Sequence, residues 1–95
     1  MTVMLRVDWP ELTAEQYEAL RKVVDWEGDT PAGALYHVVS FDESGAHMAE
    51  VWASAEDIQQ YTDERLMPGV QQVGVAGQPE ISISPVHNVF APGYE

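Results

Sequence analysis

Ninety-five residues, 45% hydrophobic and 21% charged, are enough for one domain with a core of its own, and no linker divides them. Sixteen acidic side chains against four basic ones give a formal charge of -12, which repels a phosphate backbone or an anionic membrane and sets nucleic-acid binding aside. Without cysteine there is no disulfide, thiolate metal site or cysteine nucleophile, and the opening residues lack the basic start and apolar run of a secretion signal, so a cytoplasmic protein is expected.

Thr2 to Asp8 is β-prone and stops at Trp9-Pro10, where proline ends ladder pairing, and predicts a first strand. Thr13-Ala14-Glu15-Gln16 has capping-box spacing, so a helix starts there, with Tyr17, Leu20 and Val24 facing inward and an end near Trp26. Glu27 to Gly33 is a breaker-rich loop. Two β-prone runs, Leu35 to Phe41 and Ala46 to Ala53, flank the turn residues Asp42-Glu43-Ser44-Gly45 and predict a hairpin. Ser54 opens a second helix with Ile58, Tyr61, Thr62 and Leu66 inward, Pro68-Gly69 should break or kink it, and Val70 to Val75 could resume as a helical turn. Glu80 to Val89, alternating Ile81 and Ile83 with Ser82 and Ser84, is the last strand, and residues 90–95 form a Pro/Gly-bearing tail, mobile or docked.

Strand, helix, strand, strand, helix, strand is the split βαβ order, so a single domain over residues 1–95 is expected: an α+β, ferredoxin-like βαββαβ subunit with a four-stranded antiparallel sheet and both helices on one face. The hairpin has apolar residues on both faces: Leu35, Val39 and Phe41 against Tyr36 and Val38 on its first strand, and Met48 and Trp52 against Ala49 and Val51 on its second. An open face of that kind asks for a second sheet, which a homodimer supplies.

The element order, Glu50-Val51-Trp52 ending the hairpin, the Ala53-Ser54 helix start, and Glu64-Arg65-Leu66 with Pro68 together resemble the dimeric α+β barrel superfamily, and within it the antibiotic-biosynthesis-monooxygenase-like group of small bacterial proteins. That resemblance implies a dimeric barrel, a ligand cavity between sheet and helices, and chemistry ranging from cofactor-free oxygenation of polyketide-type rings to isomerase or cyclase roles. The haem-degrading branch places a tryptophan late on the third strand, which Trp52 matches, an asparagine on the first strand and a haem-ligating histidine on the second long helix. Thr2 to Val7 holds no asparagine and Ile58 to Val73 no histidine, so haem is set aside and no cofactor is expected.

His37 and Glu50, polar groups inside apolar strands, are the candidate proton-transfer residues. Trp52, Tyr61 and Tyr36 are candidates to hold an aromatic substrate, and His87 and Asn88, after Pro85, could bind it at a rim or simply tie down the tail. Each has a plainer reading as core or scaffold, and Arg65 reads as the partner of a neighbouring acid. His47, beside the turn, reads as solvated. His37, His87 and Glu50 would make a two-His, one-carboxylate metal set only if they converged, which nothing in their spacing requires, so no metal is expected. The hairpin register is open: pairing Asp42 with Ala46 puts His37 opposite Val51, and a shift by one puts it opposite Glu50 or Trp52. The expected function is a small-molecule enzyme or binding protein resembling cofactor-free monooxygenases, with an apolar cavity for a hydrophobic aromatic or polyketide-like compound. The alternative is a non-catalytic ligand-binding or structural homodimer.

Overall fold

The computed structural model describes residues 1–94, and runs β1 (Val3–Trp9), α1 (Ala14–Val24), β2 (Ala34–Asp42), β3 (Gly45–Trp52), α2 (Ala55–Tyr61), a π-helical stretch (Thr62–Leu66), α3 (Met67–Val73) and β4 (Glu80–Pro85). The Thr13 hydroxyl accepts from the Gln16 amide and the Gln16 side chain from the Thr13 amide, both at 3.1 Å, so the local spacing alone starts α1. The helix stops short of Trp26. Asp25 takes the left-handed conformation (φ 57, ψ 47) as C-cap, and its carboxylate accepts from the Gly28 amide at 3.2 Å. That turn brings the Trp26 ring back to 5.5 Å from Tyr17.

Ser54 caps α2 by accepting from the Asp57 amide. Pro68 does not break the helix as expected, because the wider π turn over Thr62–Leu66 precedes it. A proline ring would crowd the carbonyl four residues back in a regular α-helix, and an inserted residue relieves that contact. The turn also lets Arg65 reach past its own acidic neighbours to the end of α1, where its Nη2 donates to the Val24 carbonyl at 2.7 Å. Its nearest carboxylate is Asp29 at 3.9 Å, so this cation chiefly ties two helices together.

The sheet order is β2-β3-β1-β4, antiparallel throughout, which is the ferredoxin-like arrangement. Val3, Leu5, Val7 and Trp9 of β1 point to the helices and are buried, with Trp52, Glu50, Met48 and Ala46 beside them on β3. Two apolar clusters result, one of Trp9, Leu12, Tyr17, Leu20, Val24, Ala46 and Val70, the other of Val3, Leu5, Val7, Trp52 and Ile58. Met48 and Tyr61 pack against both.

On the opposite face, Met4, Val38, Ala49 and Val51 share the surface with Arg6, Asp8, Ser40 and His47. The single chain leaves this face uncovered, with Val38 45% exposed. β4 ends at Pro85, earlier than Val89, although the Val86 amide still donates to the Thr2 carbonyl at 3.0 Å. The tail then crosses from the β4 edge to the β2 edge, where the Tyr94 ring meets Tyr36 edge-on at 6.4 Å. Glu95, the last residue of the tail expected to be mobile or docked, lies outside the described residues. Among the described residues, no helix is long and apolar enough to cross a membrane.

Candidate functional site

The hairpin register determines what His37 meets. Asp42 pairs with Gly45, a tight loop that sets His37 opposite Glu50 and Tyr36 opposite Val51, and a bulge between Ala34 and Tyr36 shifts the pairing at the strand's start. His37 and Glu50 therefore share the helix-facing side of two neighbouring strands. His37 Nδ1 lies 2.6 Å from Glu50 Oε2, the Trp52 indole N–H donates to Glu50 Oε1 at 2.8 Å, and His37 Nε2 lies 2.7 Å from the Tyr17 hydroxyl. An ionised Glu50 can only accept, so Nδ1 carries the proton of that bond. In the neutral ring Nε2 then accepts from the phenol.

The chain Trp52–Glu50–His37–Tyr17 begins and ends on buried core residues, Trp52 and Tyr17, and is most open in its middle, with the His37 side chain 29% exposed and Glu50 14%. Aromatic rings gather around His37 and Tyr17. Tyr17 lies parallel to His37 at 6.0 Å between centroids, Trp26 is tilted against His37 at 5.7 Å, and Phe41 meets Tyr17 edge-on at 5.9 Å. Burial pushes the Tyr17 hydroxyl up to about 12, with Glu27, Glu18 and Glu50 adding and Arg21 opposing, so the phenol stays protonated and can donate at any working pH.

Trp52 is buried with Ile58 and Val3, and its ring is tilted against Tyr61 at 5.4 Å. An apolar cavity was expected beside Trp52, and these side chains pack against one another there. Burial also raises the Tyr61 pKa, helped by the Glu50 charge, and the Arg65 guanidinium sits 5.7 Å from the Tyr61 ring centre. Two depressions open to solvent lie elsewhere, one of about 220 Å³ on the open sheet face beside Arg6, Val38 and His47, the other of about 240 Å³ between residues 29–32 and Tyr61, Glu64 and Arg65.

The remaining candidates lie apart. Tyr36 points to the opposite face from His37, because neighbouring residues of a strand alternate. His87 and Asn88 are exposed beyond β4, at the edge farthest from β2, so His87 does not join His37 and Glu50. Among the described residues, no group of three or more His, Asp or Glu is placed to hold a metal ion. Tyr17 was legible only as an inward position of α1. The signal that could have marked it is that a buried tyrosine hydroxyl needs a partner, here supplied 20 residues along the chain.

His47 is not simply solvated. On the open face its Nδ1 lies 2.6 Å from Asp8 Oδ1 and its Nε2 2.9 Å from Asp42 Oδ1. Carboxylates on both sides call for a proton on each nitrogen, and they raise the His47 pKa, the Asp8 bond most. Asp42 is held at about 2 by the Ser44 hydroxyl, then by His47 and the Ser44 amide.

Solved structures share this fold. A candidate antibiotic biosynthesis monooxygenase of Caulobacter crescentus superposes with a TM-score of 0.66 at 17% identity, over 92% of this chain and 91% of its own. Another, from Chloroflexus aurantiacus, gives 0.64 at 16%, over 97% and 98%. SnoaB, a cofactor-independent oxygenase from Streptomyces nogalater, gives 0.60 at 13%, over 93% of each chain. No protein-family model and no curated protein matches the chain. The shared feature is the fold, the α+β subunit of the antibiotic-biosynthesis-monooxygenase-like proteins that the sequence resembles.

Proposed function

We propose that the protein is a cofactor-free oxygenase of a hydrophobic aromatic or polyketide-like compound, working as a homodimer, with His37 and Glu50 as its proton-transfer pair. The observation that carries this reading is the 2.6 Å bond between them at a half-open, aromatic-lined edge of the helix-facing side. Glu50 fixes the tautomer and stabilises the imidazolium, so His37 can take up a proton without charge building on the histidine alone. An activated methylene gives up that proton and keeps the electron pair. The carbanion then reduces oxygen as the carbon–oxygen bond forms, and the hydroperoxide loses water to leave a carbonyl, so one CH2 and one O2 become C=O and H2O.

The uncovered apolar residues of the open face support the homodimer in this reading, since a second copy would cover Val38, Ala49 and Val51 and leave the helix-facing edge of β2 free. Fold likeness to SnoaB agrees with oxygenase chemistry, but fold alone hosts many reactions. The packing of Trp52 with Ile58 and Tyr61 favours a second reading, a ligand-binding or structural homodimer without turnover. Oxygen uptake with anthrone, a tricyclic ketone with an acidic methylene, separates the two. Uptake by the native protein that falls about 100-fold in His37→Ala supports the enzyme, a magnitude usual for loss of a general base. Uptake unchanged by that substitution, or no uptake at all, favours the second reading.

A further inference from the structure

The open face of the sheet is zoned along its strands. Tyr36, Val51 and Met4 line one end, Val38, Ala49 and Arg6 the middle, and Ser40, His47, Asp8 and Glu80 the other, with Asp42 beside them at the turn. The cations Arg6 and His47 stand against the carboxylates Asp8, Asp42 and Glu80, so this face is nearly neutral on a chain whose formal charge is -12. Such a balance suits a second copy, because two acidic chains can meet here without the repulsion that their acid-rich helical faces would bring. The balance depends on one proton. His47 donates to Asp8 at 2.6 Å and to Asp42 at 2.9 Å, and a neutral imidazole would turn a lone pair toward one of those carboxylates. On the single chain water reaches the group, with the His47 side chain 33% exposed, Asp8 41% and Asp42 63%. A covering sheet removes that water and encloses the depression of about 220 Å³ that Arg6, Asp8, Ser40 and His47 line.

We propose that His47 controls assembly of the homodimer by its proton: a second copy docks on the open face while His47 is a cation bridging Asp8 and Asp42, and is released as that proton is lost. The inference rests on the homodimer of the reading above and adds what governs it. Covering the trio in its charged form desolvates groups that already satisfy one another. Without the proton each face gains a net negative charge, and one carboxylate loses its donor where water can no longer replace it. The coupling is reciprocal, so the dimer also holds the proton more tightly than the single chain does. The charged and titratable groups on this side are Arg6 and Asp8 from β1, Tyr36 and Asp42 from β2, and Glu80 from β4, with the Ser44 hydroxyl at the turn. Among these residue types histidine is the one that ordinarily titrates between pH 5 and 8. His37 faces the helices, and His87 follows β4 at the opposite end of the sheet. Because the two carboxylates raise the His47 pKa, the assembled state is complete below 6.5 and is lost as pH rises through the folded value.

Sedimentation equilibrium of the full chain from pH 6 to 9, at fixed ionic strength, reads the dimer Kd. We expect it to rise about tenfold or more across that range in the native chain, and in His47→Gln to be weak and constant within about twofold. Circular dichroism checks that the variant keeps its fold. The His47 ring resonances give a second reading that a purely structural role would not move: their titration midpoint should lie higher at a protein concentration above Kd than at one below it. A native dimer whose Kd stays within about twofold from pH 6 to 9 overturns the proton control and leaves the homodimer standing. A His47→Gln dimer as tight as the native one at pH 6, or a pH dependence that persists in that variant, overturns the role of His47. A chain that stays monomeric at pH 6 at its highest soluble concentration overturns the homodimer itself, and this inference with it.

Discussion

His37 and His47 stand on paired strands of one hairpin, each with Nδ1 2.6 Å from a carboxylate, and face opposite sides of the sheet. What differs is the group at the second nitrogen. Nε2 of His37 meets a phenol at 2.7 Å, a group that can donate, so the ring can be neutral and ready to take a proton. Nε2 of His47 meets Asp42 at 2.9 Å, which can only accept, so that ring is held as a cation. Ser44 Oγ is also 3.0 Å from His47 Nε2, and with Asp8 behind the ring the connectivity imitates a Ser-His-Asp triad. It lacks the function of one, because the serine proton goes to Asp42 at 2.7 Å and the histidine has no lone pair to offer. One arrangement suits the proton relay proposed above, and the other is a clamp across β1, β3 and the turn.

The largest separation between them should come from removing the shared carboxylate on the core side. Glu50→Ala leaves the Trp52 and His37 donors without their acceptor in a packed setting, which costs about 2 kcal/mol. For a domain of this size that lowers Tm by about 10 °C at fixed protein concentration. Asp8→Ala, on the exposed face, should lower it much less. Calorimetry giving equal shifts would remove the distinction between a core-anchored relay and a surface clamp.

Most of the architecture was legible because its causes are local. Thr13 with Gln16, and Ser54, start helices by contacts three residues away. Residues 42–45 close a hairpin with their own turn chemistry, and the alternation of Val3, Leu5 and Val7 marks a buried face. The site was half legible. His37 and Glu50 stood out as polar groups in apolar strands, but their pairing depended on a register set by the tight turn and by a bulge at the far end of β2. Tyr17 was hidden because a tyrosine on an inward helical stripe looks like core until its hydroxyl partner is known. The π turn was hidden for the same reason, since Pro68-Gly69 reads as a break when the helix before it is assumed to be regular.

The second separation is in pH. His47, whose pKa is raised, contributes stability that is complete below its ordinary value of 6.5 and is lost as pH rises through the folded value. Asp42, whose pKa is lowered, contributes stability that is complete above its ordinary 3.8 and is lost as pH falls toward about 2. The clamp is therefore fully formed between those two ordinary values. Urea unfolding from pH 6 to 9 should show stability falling with a steeper slope in the native chain than in His47→Gln, which has no proton to lose. Parallel slopes would show that His47 is not held as a cation in the fold.

The smallest effect isolates one bond of the clamp. The Ser44 hydroxyl is the leading cause of the low Asp42 pKa, ahead of His47, and the Ser44 amide adds a third contribution that an alanine keeps. Ser44→Ala should therefore raise the Asp42 midpoint part of the way from about 2 toward 3.8, read from its carboxyl carbon resonance, while the turn persists. His37 and Tyr17 lie on the other side of the sheet and share no partner with Ser44, so their resonances should stay where they are. A midpoint that does not move would assign the low Asp42 pKa to His47 and the Ser44 amide, without the hydroxyl. Resonances of His37 that move with it would mean that the two faces are coupled through the hairpin, and that relay and clamp are one system.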